Sequence, residues 1–176
     1  MGIRMASDGC IEVDVTPEMV TEANRRNDEF FAQCGHSGTY RRDKGRQRIT
    51  GYLAEMAIRE AFPSLKFSEN PDVDFVSHNG KTYDSKAQGC NGPPRSHFSA
   101  TLYENQASRK VDFLIFSRVM NDSSKVWIGG FIDKKKFLEQ ADYVPAGTAN
   151  NNFTYDQARY VIEYKKLNLP EIEKKS

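Results

Sequence analysis

Hydrophobic and polar residues follow two different rhythms along this chain, and each change of rhythm marks an element. Ile11 to Val15 sets apolar against acidic residues with period two, which predicts a strand at the edge of a sheet. Thr16-Pro17-Glu18 then reads as a helix start, with a hydroxyl to cap, proline at the first helical position and an acid beside the positive end of the dipole. Met19, Val20, Ala23, Asn27, Phe30 and Phe31 give that helix a partly apolar stripe to about Gln33, and its task is packing. Residues 1–10 carry no pattern. Cys34 to Gly45 is a polar, glycine-containing loop. A second helix is expected over Arg46 to Phe62, with Ile49, Tyr52, Leu53, Met56 and Ala57 on one face and Pro63 as its stop.

Shorter rhythms fill the second half. Leu65 to Ser68 predicts a short strand, Glu69-Asn70-Pro71 a turn, and Gly89 to Arg95 an irregular loop. A short helix is expected over Tyr103 to Arg109. Val111 to Val119 is apolar on both faces, the mark of a buried central strand. Asn121 to Lys125 turns the chain, and Val126 to Ile132 returns as a strand. Asp133 caps a helix through about Ala141. Lys134-Lys135-Lys136 stands at the end of that helix where cations oppose the dipole, so a nearby anion would account for the run. Tyr143 to Asn152 reads as a polar loop, Tyr160 to Tyr164 as a late strand, and Glu171 onward as a charged tail.

The stretch Asp72 to Gln88 is a hairpin hinged on His78-Asn79-Gly80, where Gly80 can take the left-handed conformation that closes a three-residue loop. Counting back from that loop pairs Val76 with Thr82 and Phe75 with Tyr83, places Asp74 opposite Asp84, and Asp72 opposite Lys86. Side chains alternate, so Asp72, Asp74, Asp84, Lys86 and Gln88 share one face, while Phe75, Tyr83 and Ala87 point to a core. Opposed like charges destabilise a sheet, and two carboxylates held so ask for a cation. A hard, oxygen-seeking ion such as Mg²⁺ answers that need. A two-residue Asn79-Gly80 turn is the competing register, and it moves the acids to opposite faces.

The 176 residues fit one domain, large enough to bury about 70% of its unfolded surface. A net charge of +1 names no partner, so any nucleic-acid argument must be local. Tyr40 to Arg48 supplies it: Arg41, Arg42, Lys44, Arg46 and Arg48 stand against Asp43 alone, a segment suited to gripping phosphates. Cys10, Cys34 and Cys90 are scattered and read as reduced thiols of a cytoplasmic protein. The three histidines are equally scattered and give zinc little support. No apolar run approaches a membrane span.

Asp74, Asp84-Ser85-Lys86 and Gln88 together resemble the active-site strand pair of the PD-(D/E)XK nuclease superfamily, with Asp84-Ser85-Lys86 as its acid-x-lysine. Gly51 to Glu55 resembles the glutamate-bearing helix that precedes it in many members. Glu55 lies about 60° from Tyr52 around the helix, at the border of the apolar stripe; an ion pair with Arg59 is its plain alternative role. The resemblance covers roughly Arg46 to Asp133, and it is to small single-domain phage or bacterial nucleases, the Holliday-junction-resolvase type among them. It implies an α/β restriction-endonuclease-like fold: a mixed central sheet flanked by helices, with residues 1–45 as an N-terminal extension, 46–133 as catalytic core and 134–176 as a C-terminal helix, strand and tail.

The resemblance further implies Mg²⁺, with Mn²⁺ as substitute, held by Asp74, Asp84, the Ser85 carbonyl and Glu55. Lys86 and Gln88 then act on water and phosphate, and Arg95 joins the basic segment in contacting DNA. It leaves room for a homodimer and, for a phage-encoded chain, for work in the host cytoplasm. A DNA-binding or phage structural protein keeping this fold without catalysis is the alternative.

Overall fold

Strand pairing begins outside the predicted edge. In the computed structural model, which describes residues 2–34 and 42–170 apart from the side chains of residues 34 and 42–44, β1 (Ile3–Met5) pairs antiparallel with β2 (Ile11–Asp14), Ile3 opposite Val13. The edge therefore lies in residues that carry no pattern, because three residues are too few for alternation to show. β2 lies inside the sheet, its Ile11 and Val13 almost wholly buried. The Thr16 cap forms, its hydroxyl accepting from the Met19 N–H at 3.2 Å, and α1 runs Pro17–Cys34. α2 spans Arg42–Ala61, so the helix reaches four residues further back than its apolar face indicates.

β3 (Lys66–Phe67), β4 (Phe75–Val76), β5 (Thr82–Cys90), β7 (Phe113–Met120) and β8 (Lys125–Asp133) complete a seven-stranded mixed sheet in the order β1-β2-β8-β7-β5-β4-β3. Before β7 comes β6 (Ser99–Tyr103), and after β8 follow α3 (Lys134–Gln140), β9 (Asp142–Val144), β10 (Ala149–Asn150), β11 (Phe153–Thr154) and β12 (Arg159–Glu163). β6, β12 and β9 form a second sheet, and β10 with β11 a small hairpin. β6 has no counterpart in the predicted elements; the helix expected from Tyr103 is a single 3₁₀ turn, Glu104–Gln106. The loop expected at Tyr143 to Asn152 contains β9 and β10.

The parallel pairing of β5 with β7 requires a crossover, and residues 91–112 supply it. β7 is buried as its composition dictates, with Leu114, Phe116 and Val119 at 1–2% exposure. Its alternation feeds two cores. Ile115 and Val119 join Leu53, Ala57 and Ile58 of α2, while Leu114 and Phe116 join Phe137 of α3, Leu102 and Ile162 on the opposite face. Asp133 caps α3 by accepting from the Lys136 N–H at 3.1 Å.

β8 carries an irregularity opposite Phe116 and Ser117, and beyond it Gly130 holds φ +151°. A Cβ there would lie 2.5 Å from the Asn168 carbonyl oxygen. Gly130→Ala is accordingly expected to destabilise the protein by about 1–3 kcal/mol. Thermal unfolding checks this, and an unchanged midpoint would show that the Asn168 segment does not press against β8.

Candidate functional site

The three-residue hairpin loop forms. Ser77 N–H donates to the Lys81 carbonyl at 2.9 Å, Gly80 takes φ +81°, and the register sets Phe75 against Tyr83 and Val76 against Thr82. The ladder then stops, since β4 is only two residues long. Asn70 accepts from the Asp72 N–H at 3.0 Å and its carbonyl from the Val73 N–H at 3.1 Å. This turn draws Asp72 out to solvent, so it does not face Lys86 as the counted register had it.

Beyond Tyr83, β5 has β7 on one side and no strand among the described residues on the other. Asp74 fills the open side. Its Oδ2 accepts the Ser85 N–H at 2.7 Å, taking the place of a strand carbonyl. Within a strand the N–H and C=O of one residue point the same way, so the Ser85 carbonyl also faces this edge.

Four side chains meet there. Glu55, Asp74, Asp84 and Lys86 line one cavity of about 400 Å³ together with Arg48, Gln47, Gln106 and Arg109. Lys86 Nζ stands 2.8 Å from Asp84 Oδ2, and Asp84 is 3% exposed. The Asp74 carboxyl shares this cavity with Asp84 and lies close enough to feel its charge. Glu55 comes over from α2 and is held by Arg26 of α1 at 3.5 Å. Arg59, the sequence-level candidate for that pairing, instead lies over the Phe67 ring at 4.7 Å.

Burial and mutual repulsion set the electrostatics. Burial first, then the neighbouring charges of Glu55 and Asp84, push the Asp74 carboxyl up to about 8, against the pull of the Ser85 amide. Burial likewise raises Glu55 to about 7, with Asp84 adding to the rise and Arg26 and Lys86 opposing it. From the other face of the sheet comes Lys134, whose ammonium is depressed by burial and by Lys86 and supported by Asp84. Of the Lys134-Lys135-Lys136 run, Lys134 alone has this acid near it, while Lys135 and Lys136 are exposed.

These shifts fix a pH dependence. Carboxyls raised in the folded state bind more protons there than in the unfolded chain, so their contribution is full below about 4 and lost as pH rises through about 7–8. Without divalent metal, the melting temperature is expected to fall between pH 5 and pH 8.5, and Asp74→Asn to flatten that fall. A profile of wild type and variant that run parallel would contradict the buried-acid arrangement.

The remaining sequence candidates scatter. Gln88 lies further along β5, in the wall of an adjoining cavity with Arg46. Arg48 faces the acid cavity, its guanidinium 3.9 Å from the Phe30 ring centroid. Arg95 is exposed and lines neither cavity. Arg41 lies outside the described residues, as do the side chains of Arg42 and Lys44. Arg26 and Lys134 were missed as site residues. Arg26 gives no signal in the sequence, whereas the misplaced charge at the start of α3 is one for Lys134.

Among the described residues no group of three or more carboxylate, imidazole or thiolate side chains is placed to hold a metal ion. An ion would rest on few protein oxygens and keep water, the open coordination that Mg²⁺ takes. The donors fit such an ion: Glu55, Asp74 and Asp84 line one cavity, and like charges crowded together there favour a cation among them. Cys10 and Cys90 are free thiols away from this cluster, and no described helix is long and apolar enough to cross a membrane. No protein-family model and no curated protein matches the chain.

Proposed function

We propose that the chain is a Mg²⁺-dependent DNA endonuclease that hydrolyses phosphodiester bonds at the Asp74, Asp84 and Lys86 cluster. The observation that carries this reading is the meeting of two carboxyls, Asp74 and Asp84, in one cavity on an open strand edge, with an ammonium 2.8 Å from Asp84. The order of elements supports a restriction-endonuclease-like fold: a glutamate-bearing helix, a hairpin with the acid-x-lysine, then a central strand parallel to it.

Asp74, Asp84 and the Ser85 carbonyl would hold the ion, with Glu55 beside them. When bound, Mg²⁺ polarises the phosphate and lowers the pKa of a water. Lys86 positions that water for attack on phosphorus and offsets the charge that develops on the phosphoryl oxygens. The attack forms a new P–O bond, the ester P–O bond breaks, and the leaving oxygen takes up a proton. Gln88 orients a phosphate oxygen on the far side of Lys86. Arg46 lines the adjoining cavity and is exposed, where it can neutralise a flanking phosphate, while Arg48 lines the acid cavity with its guanidinium over Phe30.

Incubation with linear duplex, single-stranded and four-way-junction DNA, with and without Mg²⁺ or Mn²⁺, tests the proposal. At least one form is expected to be cut, and only when a divalent ion is present. Failure to cut any of them with either ion would contradict it.

A further inference from the structure

A second cavity, of about 320 Å³, adjoins the acid cluster and shares Gln47, Lys86 and Gln106 with it. Its chemistry is different. Among the described residues its wall includes two cations, Arg46 and Lys86, and no carboxylate. The rest of the polar wall is amide and hydroxyl: Gln47, Gln88 and Gln106 each offer a donor and an acceptor, and Thr50 and Thr101 a hydroxyl. Tyr103 and Phe116 contribute aromatic surface.

The edge of the second sheet adds backbone groups. Among the described residues β6 pairs only with β12, and no strand covers its other edge. The Ser99 carbonyl points out of that edge, where Arg118 donates to it at 2.6 Å. Two residues on, Thr101 presents its N–H and C=O to the same side by the alternation of an antiparallel ladder. Tyr103 continues into a stack. The Arg159 guanidinium lies 4.9 Å from the Tyr103 ring centroid and 4.3 Å from that of Tyr155, and Phe153 sits 4.9 Å from Tyr155. Phe153 is 54% exposed and meets Tyr155 edge-on, with 76° between the ring planes.

We propose that this cavity is a nucleobase subsite, and that it takes the unpaired nucleotide next to the phosphate at Lys86. The reading rests on the proposed nuclease function and narrows it to substrates with a single-stranded segment at the cut. A base in a duplex has its hydrogen-bonding edge occupied and its faces stacked. An unpaired base brings both to a recess of amides, hydroxyls and aromatic rings. Stacking on Tyr103 and toward Arg159, Tyr155 and Phe153 then carries the continuing strand with little sequence preference.

Binding of fluorescent 20-nucleotide DNA, single-stranded or fully paired, tests this alongside the cleavage panel. Thr101→Trp fills the recess and Tyr103→Ala removes its stacking wall; neither replaces an acid or Lys86, and circular dichroism checks the fold of each. Wild type is expected to prefer the single strand by about tenfold or more, the scale of one lost base stack. Both variants are expected to erase that preference, as is a series of abasic positions at one register near the cut. Equal binding of both DNA forms by wild type, or a preference that survives in a folded variant, overturns the subsite. If Lys86→Ala stops cleavage while the preference ignores both variants, the nuclease stands and the subsite falls. If no DNA is cut but the preference is lost in both variants, the subsite stands and the nuclease falls.

Discussion

Replacing Lys86 with alanine is expected to lower the rate of DNA cleavage by about 10²–10³-fold, the scale of removing one charge-stabilising donor from a reacting centre. Its ammonium sits 2.8 Å from Asp84 at the open edge of β5, in the same cavity as Asp74 and Glu55. A purely structural lysine would give a different signature. Removing one partner of a buried ion pair costs about 3–5 kcal/mol when the other charge is left alone. Here Lys134 remains near Asp84, so the loss of stability should be smaller than that. Single-turnover cleavage and thermal unfolding measured on the same sample separate the two. A rate within a few-fold of wild type, together with a large drop in melting temperature, would make Lys86 a structural residue only.

Phe75→Ala should be the most damaging change outside the site, destabilising the protein by about 3–5 kcal/mol. The ring is wholly buried and stacks on Phe67 with centroids 5.3 Å apart. β4 pairs only Phe75 and Val76 in register, flanked by the Asp74 backbone bonds to Ser68 and Tyr83, and Phe75 is its one wholly buried side chain. Asp74 is the next residue, and its carboxylate reaches Ser85 only while β4 stays in place. Cleavage should therefore fall along with stability. Denaturant unfolding checks the first and the cleavage assay the second; a loss below about 1 kcal/mol would show that the hairpin is held elsewhere.

The hairpin was legible in the sequence because a short-loop signal and strict alternation agree on one register, and that register is the observed one at Phe75 and Val76. What followed was not. The Asn70 turn competes with the ladder and removes Asp72, an outcome that counting by twos cannot anticipate. The central strands β7 and β8 announce themselves by burial on both faces, whereas β1, β9 and β10, two or three residues each, are too short to carry a period. β6 alternates, but its run of small and polar residues, Ser99-Ala100-Thr101, hides the pattern. Asp74, Asp84 and Lys86 could be placed together from local spacing alone. Arg26 and Lys134 reach the same place from α1 and α3, and only the packing of those helices on opposite faces of the sheet brings them in.

Calorimetric titration of Mg²⁺ into wild type and into Asp84→Asn addresses the central claim without relying on any substrate. Wild type should bind the ion and release protons as it does so, with affinity rising between pH 6 and pH 8.5 as the raised carboxyls give up their protons. Asp84→Asn should show no binding heat under the same conditions. Absence of binding to wild type at pH 8.5, or equal binding by the variant, would contradict a divalent-ion site at Asp74 and Asp84.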